Sequence, residues 1–326
     1  ATDRSISGVG FSPDLVWNAT RSANQNKFIY DRIRGAGKEL RTNQTNAEGT
    51  NDGVESFEPD GFSRGSSNDC NENNITYVDW CWDMGGTYAS NTSGSITSTV
   101  MANPTYGQSI VSYTGNQTAG ATVGHGLSSA PEMMIVKNRE LNSDWIVYHS
   151  ALGNTKHLRM NLTSGEYTSA IRWNNTSPTS SVFTLGTDSS VNENNDGCIA
   201  YCFHSVSGYS KFGSYTGDGN LSGPSVTLGF RPAWVMIRKT DSADWLVFDS
   251  TRNPLNEVRS FLEPNTADAE ATEQTTNYEL GIDFDDNGFQ IKARGGGMNS
   301  NGATYIYLAF AGGMDSISDY NTDGTI

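Results

Sequence analysis

Asn71-Glu72-Asn73-Asn74-Ile75-Thr76-Tyr77-Val78-Asp79-Trp80-Cys81-Trp82 has two counterparts further along the chain. One is Asn192-Glu193-Asn194-Asn195-Asp196-Gly197-Cys198-Ile199-Ala200-Tyr201-Cys202-Phe203. The other is Asn299-Ser300-Asn301-Gly302-Ala303-Thr304-Tyr305-Ile306-Tyr307-Leu308-Ala309-Phe310. Each opens with an Asn-x-Asn turn and then runs apolar, the pattern of a strand that ends a repeat. Strand side chains alternate between faces. One face carries Val78, Trp80 and Trp82, then Ile199, Tyr201 and Phe203, then Ile306, Leu308 and Phe310, and it reads as the core face. The other is mixed: Tyr77, Asp79 and Cys81; Cys198, Ala200 and Cys202; Tyr305, Tyr307 and Ala309.

Working backwards, each copy has a Pro-led strand after a Gly-apolar pair: Pro13 with Leu15-Val16-Trp17, Pro131 with Met133 to Lys137, Pro232 with Trp234 to Arg238. These are apolar on both faces, as strands between two layers are. A second strand follows, at Lys27 to Asp31, Asp144 to His149 and Asp244 to Asp249. A third strand alternates in copy two, with Leu158, Met160 and Leu162 against His157, Arg159 and Asn161. A hairpin turn and a Phe come next, at Asp60-Gly61-Phe62, Ser181-Val182-Phe183 and Asn287-Gly288-Phe289; Asp-Gly and Asn-Gly are strong hairpin signals. Copies two and three open with Ser112-Tyr113-Thr114-Gly115 and Ser214-Tyr215-Thr216-Gly217, a strand that copy one lacks at its start. Copy three carries extra residues around Asn265 to Asn277, read as an inserted loop or short helix.

The expected fold class is all-β: tandem β-sandwich, jelly-roll-like domains, three related repeats of about 100 residues each. The expected boundaries are 1–86 for an N-terminally incomplete first sandwich, 87–108 for a Ser/Thr-rich linker, 109–207 and 208–313 for the second and third, and 314–326 for the start of a further linker. The linker reading rests on Asn91 to Ile96 recurring as Asn321 to Ile326. The chain starts at Ala1 without a signal peptide and stops inside a copy of that segment, so it reads as processed or as a piece of something longer. In this reading rigid domains are strung through short junctions, with a hinge or an extended strand crossing before the second.

Composition agrees. The 326 residues include 35 Gly and only 17% charged residues, with 7 Trp, 14 Tyr and 13 Phe to build cores. A net charge of −15 makes nucleic acid a poor partner, because phosphate binding needs clustered Lys and Arg. No apolar run approaches membrane-spanning length. Cys198 and Cys202 lie on one strand face about 13 Å apart, too far for a disulfide. With Cys70 and Cys81 they read as buried free thiols.

Candidate chemistry is thin. Glu72 and Glu193 suggest glycosidase carboxylates, but such a pair must flank one bond, and these occupy equivalent turns in different copies, with Ser300 in the third. His125, His149, His157 and His204 fall in separate segments, and Asp31 and Asp249 match His149. Asp283 to Gly288 looks like the start of a calcium loop, yet Arg294 stands where its glutamate belongs, and a hairpin explains it. Trp145 and Trp245 could be sugar platforms; their matching strand positions favour core packing. Sequons at Asn18, Asn43, Asn74, Asn116 and Asn161 do not repeat between copies and read as chance in an Asn-rich chain. No catalytic, metal-binding or cofactor-binding residue is assigned, no cofactor is expected, ligand-binding residues stay open, and the chain is expected not to be an enzyme.

Ser109 to Gly115, Val123-Gly124-His125-Gly126-Leu127, Pro131 with Ile135-Val136-Lys137, Trp145 to His149 and the Asn-x-Asn strand together resemble a repeated domain of marine bacteriophage structural proteins of the cyanophage type. The resemblance is closest over 87–207 and weakens where Leu228-Gly229-Phe230 replaces His125-Gly126-Leu127. It implies all-β repeats, a place on the virion surface after assembly in the bacterial cytoplasm, and no catalytic residues. The function expected from it is a tail fibre or similar appendage that contacts the host. A capsid decoration protein is the alternative, and a polysaccharide-degrading spike is a third. Expected partners are other virion proteins, further copies of the chain and a host-surface glycan or receptor, with neither nucleic acid nor membrane insertion.

Overall fold

The computed structural model describes residues 2–273 and 279–312, and the backbone of 317–321. The chain is all-β and antiparallel, a β-sandwich fold. In copy one the main sheet runs Lys38–Arg41, Phe28–Asp31, Leu15–Thr20, Tyr77–Trp82. Copy two repeats that order with Lys156–Arg159, Ile146–His149, Met133–Asn138, Gly197–Phe203 and then its opening strand Gln108–Thr114. Copy three has Trp245–Asp249, Pro232–Lys239, Thr304–Ala311 and its opening strand Ser210–Thr216. A small second sheet, built around Gly61–Arg64, Val182–Leu185 or Gly288–Ile291, covers one face of each main sheet.

Both faces of the repeated strand are buried, and by different partners. The mixed face looks into its own sandwich: Cys81 packs with Val16, Phe28 and Phe62, Cys202 with Met134 and Phe183, Ala309 with Val235 and Phe289. The apolar face enters one core shared by all three copies, where Trp80, Trp82, Tyr201, Phe203, Leu308 and Phe310 lie together. Edge-to-face ring pairs cross between copies: Trp82 on Trp234 at 5.9 Å and Phe203 on Phe310 at 6.0 Å. The copies are therefore not beads on hinges. Large aromatic side chains on the outer face of each sandwich would leave extensive apolar surface in water, and mutual packing removes it.

The linker expected at 87–108 is also corrected. Tyr88–Asn91 and Ser98–Asn103 are strands that extend the main sheet of copy two beyond Gln108–Thr114. Val100 and Met101 are buried there, and the Ser/Thr richness belongs to a sheet margin. At the other end, the stretch read as the start of a linker contains the strand Ile317–Asn321. It pairs with Tyr77–Trp82, setting Ile317 opposite Trp82 and Asn321 opposite Val78. It thus occupies the sheet position that opening strands fill in the other copies. The rest of 314–326 lies outside the described residues.

The copies meet head to tail in a closed ring. The same backbone hydrogen bond recurs at each junction: Glu48 N to Arg139 O at 2.7 Å, Glu166 N to Thr240 O at 2.7 Å, Glu270 N to Arg21 O at 2.8 Å. A ring donor reaches back beside two of them, Trp145 Nε1 to Arg41 O and Trp245 Nε1 to Arg159 O; at the third, Lys27 Nζ donates to Asp268 O. The closing junction is made by residues 265–272, which match 161–168 of copy two and 43–50 of copy one, so the expected insertion does not begin at Asn265. Ala271–Thr272 is strand, not helix, and residues 274–277 lie outside the described residues.

One local device recurs ahead of the repeated strand. A single helical turn, Asn68–Asn71, Ser189–Asn192 or Gly296–Asn299, ends in a fully buried asparagine. Asn192 Nδ2 donates to Gly186 O and Thr118 O, while its Oδ1 accepts from Asn116 N. Asn299 does the same with Ala293 O, Asn220 O and Asp218 N. The turn then passes through a left-handed residue, Asn74, Asn195 or Gly302, at φ of 64°, 68° and 75°. Asn and Gly tolerate that region best.

Candidate functional site

Each second strand is entered through an asparagine clamp. In copy two, Asn161 Oδ1 accepts from Trp145 N and its Nδ2 donates to Asp144 Oδ1, both at 2.9 Å. In copy three, Asn265 holds Trp245 N and Asp244 Oδ1 in the same way, at 2.9 and 2.7 Å. In copy two the free oxygen of Asp144 pairs with Arg159 Nε at 3.2 Å. Copy three reverses that charge, because the residue after Leu262 is Glu263, where Arg159 follows Leu158.

Two carboxyl groups, Asp244 and Glu263, therefore line one cleft of about 390 Å³, with Lys239, Ser242, Gly296 and Ser300 on its other walls. Burial, reinforced by Asp244 and Asp268, pushes the Glu263 carboxyl up to about 7, against the Thr266 hydroxyl and the Lys27 ammonium. Lys27 reaches this place from copy one. Burial holds its ammonium down to about 8, although Asp268 and Glu263 pull it upward. Glu263 thus exchanges its proton near neutrality, the behaviour of a group in a working site or a strained junction. With the Ser242 and Ser300 hydroxyls and the Lys239 ammonium, the cleft offers donors and acceptors to a hydroxyl-rich ligand.

The residues weighed from sequence are placed as follows. Glu72 and Glu193 cap the short helices, and Glu72 accepts from Gln25 Nε2 at 2.7 Å. His125 is held between Thr179 O and Leu127 N, and burial lowers its pKa. His149 faces Tyr307 O of copy three, and burial takes it down to about 4. His204 Nδ1 lies 3.0 Å from Ser205 O. His157 is buried, and neither ring nitrogen has a partner. Asp283 to Gly288 is the hairpin between Ile282–Asp285 and Gly288–Ile291, and Asp283 pairs with Lys292. Among the described residues no group of three or more His, Cys, Asp or Glu side chains is placed to hold a metal. Trp145 and Trp245 are fully buried, and all four cysteines are buried free thiols. Asn18 and Asn161 are buried too, so those sequons serve packing. Sequence reasoning missed Glu263, whose one signal is the Arg41, Arg159, Glu263 substitution at a shared strand position.

The family model for a domain of unknown function (DUF7483) matches residues 1–313, and the chain belongs to that family. No curated protein and no solved structure matches it.

Proposed function

We propose that this member of the DUF7483 family is a non-enzymatic structural protein of a bacteriophage virion, a surface appendage of the tail-fibre kind that contacts the host. The supporting observation is the shared core: three sandwiches closed head to tail make one rigid body whose hairpins and loops lie outside. Rigid scaffolds that position surface loops suit recognition. The resemblance of its repeats to cyanophage-type structural domains supplies the virion setting. An antibody against the chain, applied to virus particles that encode it, should label tail-associated fibres. Label over the capsid would make it a decoration protein, and unlabelled particles would remove the virion reading.

One observation favours a second reading, the polysaccharide-degrading spike: Glu263, near neutral in its pKa, shares a cleft with Asp244. Release of reducing ends from host polysaccharide, lost in Glu263→Gln, would establish that reading over the first.

A further inference from the structure

Copy two differs from its neighbours at one place on its third strand. In copy one, the pair Glu39 opposite Gly49 holds a carboxylate. Glu39 Oε1 accepts from Arg41 Nε at 3.1 Å and Nη2 at 2.8 Å, and Oε2 accepts from Asn51. In copy three the matching pair is Phe261 opposite Ala271, and the arginine position holds Glu263. In copy two the pair is His157 opposite Tyr167, and Arg159 keeps the arginine.

Copy two therefore retains the guanidinium, paired with Asp144 from the second strand, and has no carboxylate at the Glu39 position. In its place stands an imidazole only 2% exposed, with both ring nitrogens unpartnered. A buried polar group without a partner is costly and calls for a water, an ion or a ligand to satisfy it. Arg159 lies over the Tyr167 ring at 4.4 Å, and His157 lies nearly parallel to that ring at 5.9 Å. Arg172 is near enough that it and Arg159 oppose each other's charge. Tyr167 is 42% exposed, an aromatic where the other copies have Gly49 and Ala271. Three acids sit close by: Asp144 on Arg159, Asp188 on Arg172 and Glu166 on Lys156. They balance the cations and limit the affinity for an anionic ligand.

We propose that His157, Arg159, Arg172 and Tyr167 form a subsite for a sugar that carries a carboxylate. The carboxylate lies beside the imidazole, with the arginines as charged donors and the neutral imidazole giving one N–H. The sugar ring lies against the exposed part of Tyr167. This deepens the host-contact reading and rests on it for biological meaning, while the binding itself is testable alone.

The test uses the full chain with methyl β-glucuronide and methyl β-glucoside, followed by NMR titration. The glucuronide should bind with a Kd on the order of 1 mM, useful when several copies engage a polymer, and the neutral glucoside at least roughly tenfold more weakly. His157→Glu supplies the carboxylate internally, as copy one does, and should abolish binding. Tyr167→Ala alters an exposed side chain, so it keeps the fold and should weaken binding about tenfold. Absence of glucuronide binding, equal binding of both glycosides, or full binding by Tyr167→Ala overturns the proposal. A chain that adheres to host cells yet ignores the glucuronide would remove this subsite and leave the appendage reading in place.

Discussion

Tyr201 Oη donates a 2.7 Å hydrogen bond to Asp31 Oδ2, joining the central strand of copy two to the second strand of copy one inside the shared core. The other two junctions vary the same theme. Trp80 Nε1 of copy one lies 3.4 Å from Asp249 Oδ2 of copy three. Leu308 takes the Tyr201 position in copy three and has no donor, and there the acid is replaced by His149, whose Nε2 faces Tyr307 O at 3.4 Å. The residue at the end of the second strand thus faces the neighbouring copy each time, and the two acids also pair with Arg34 and Arg252 of their own copies, where copy two has Leu152.

Tyr201→Phe removes one such bond and leaves the packing. Asp31 keeps Arg34, so its charge remains paired. The expected loss is about 1–2 kcal/mol, read from the midpoint of denaturant unfolding at unchanged slope. An unchanged midpoint would mean the junction is held by apolar contact alone.

The buried asparagine ahead of each repeated strand should matter more. Asn192→Ala leaves the buried Gly186 O without a partner and takes the side-chain acceptor from Asn116 N, while Thr118 O keeps Ala121 N. A loss of about 2 kcal/mol follows, chiefly from the unmet buried carbonyl. Asn192→Asp keeps the acceptor for Asn116 N but turns an anionic oxygen toward two carbonyls, so it should cost more than alanine. Thermal unfolding of the two variants ranks them, and the reverse order would refute the donor assignment.

Strand positions and their alternation were legible because burial on a pleated sheet imposes a period of two, and the mixed and apolar faces came out as separate surfaces. Which layer covers each face was not legible. Val78, Trp80 and Trp82 look the same whether a second sheet of the same sandwich or another copy lies over them. The ring junctions were hidden for a related reason. Glu48, Glu166 and Glu270 each lie seven residues after Arg41, Arg159 and Glu263, but that spacing does not tell that their backbone N–H groups, and the Glu48 and Glu270 carboxylates through Arg139 and Arg21, reach into another copy. The Asn-x-Asn motif was visible as a turn, but its first asparagine acts through contacts with segments far away in sequence. At the candidate cleft, Glu263 looks ordinary until Asp244 is seen beside it.

The closing junction should respond to pH. The pKa of Glu263 rises from 4.5 to about 7 on folding, so the native state holds its proton longer than the unfolded chain. Its effect on stability is neutral below about pH 4.5 and becomes a growing penalty up to about pH 7. Lys27 falls from 10.5 to about 8, so its penalty is full below pH 8 and fades toward pH 10.5. Glu263→Gln should flatten the lower limb and gain about 1 kcal/mol at pH 8, a value kept small by solvent screening of a partly exposed group. Unfolding midpoints from pH 4 to pH 9 test this, and parallel curves for the two proteins would count against it.

Burial makes the thiols unreactive. Cys70 and Cys198 are each pushed up to about 12, and Cys202 higher still. Since the thiolate is the reactive form, a disulfide reagent should find no accessible thiol in the native protein and four in denaturant. Early reaction of one cysteine would identify the copy that opens first.

The strand Ile317–Asn321 supplies the last prediction. The central strands of copies two and three are flanked by Gln108–Thr114 and Ser210–Thr216, which precede them in their own copies. In copy one, Ile317–Asn321 takes the place beside Tyr77–Trp82. A chain ending at Gly312 should expose an edge of unpaired N–H and C=O groups. Hydrogen exchange at the edge amides of residues 78–82 should then accelerate, while residues 197–203 keep their protection. The open edge can also accept a strand from a second molecule, so the truncated chain should form dimers that grow with concentration and disperse when a peptide of residues 315–322 is added. Unchanged exchange in 78–82 would show that the edge is covered by something other than this strand.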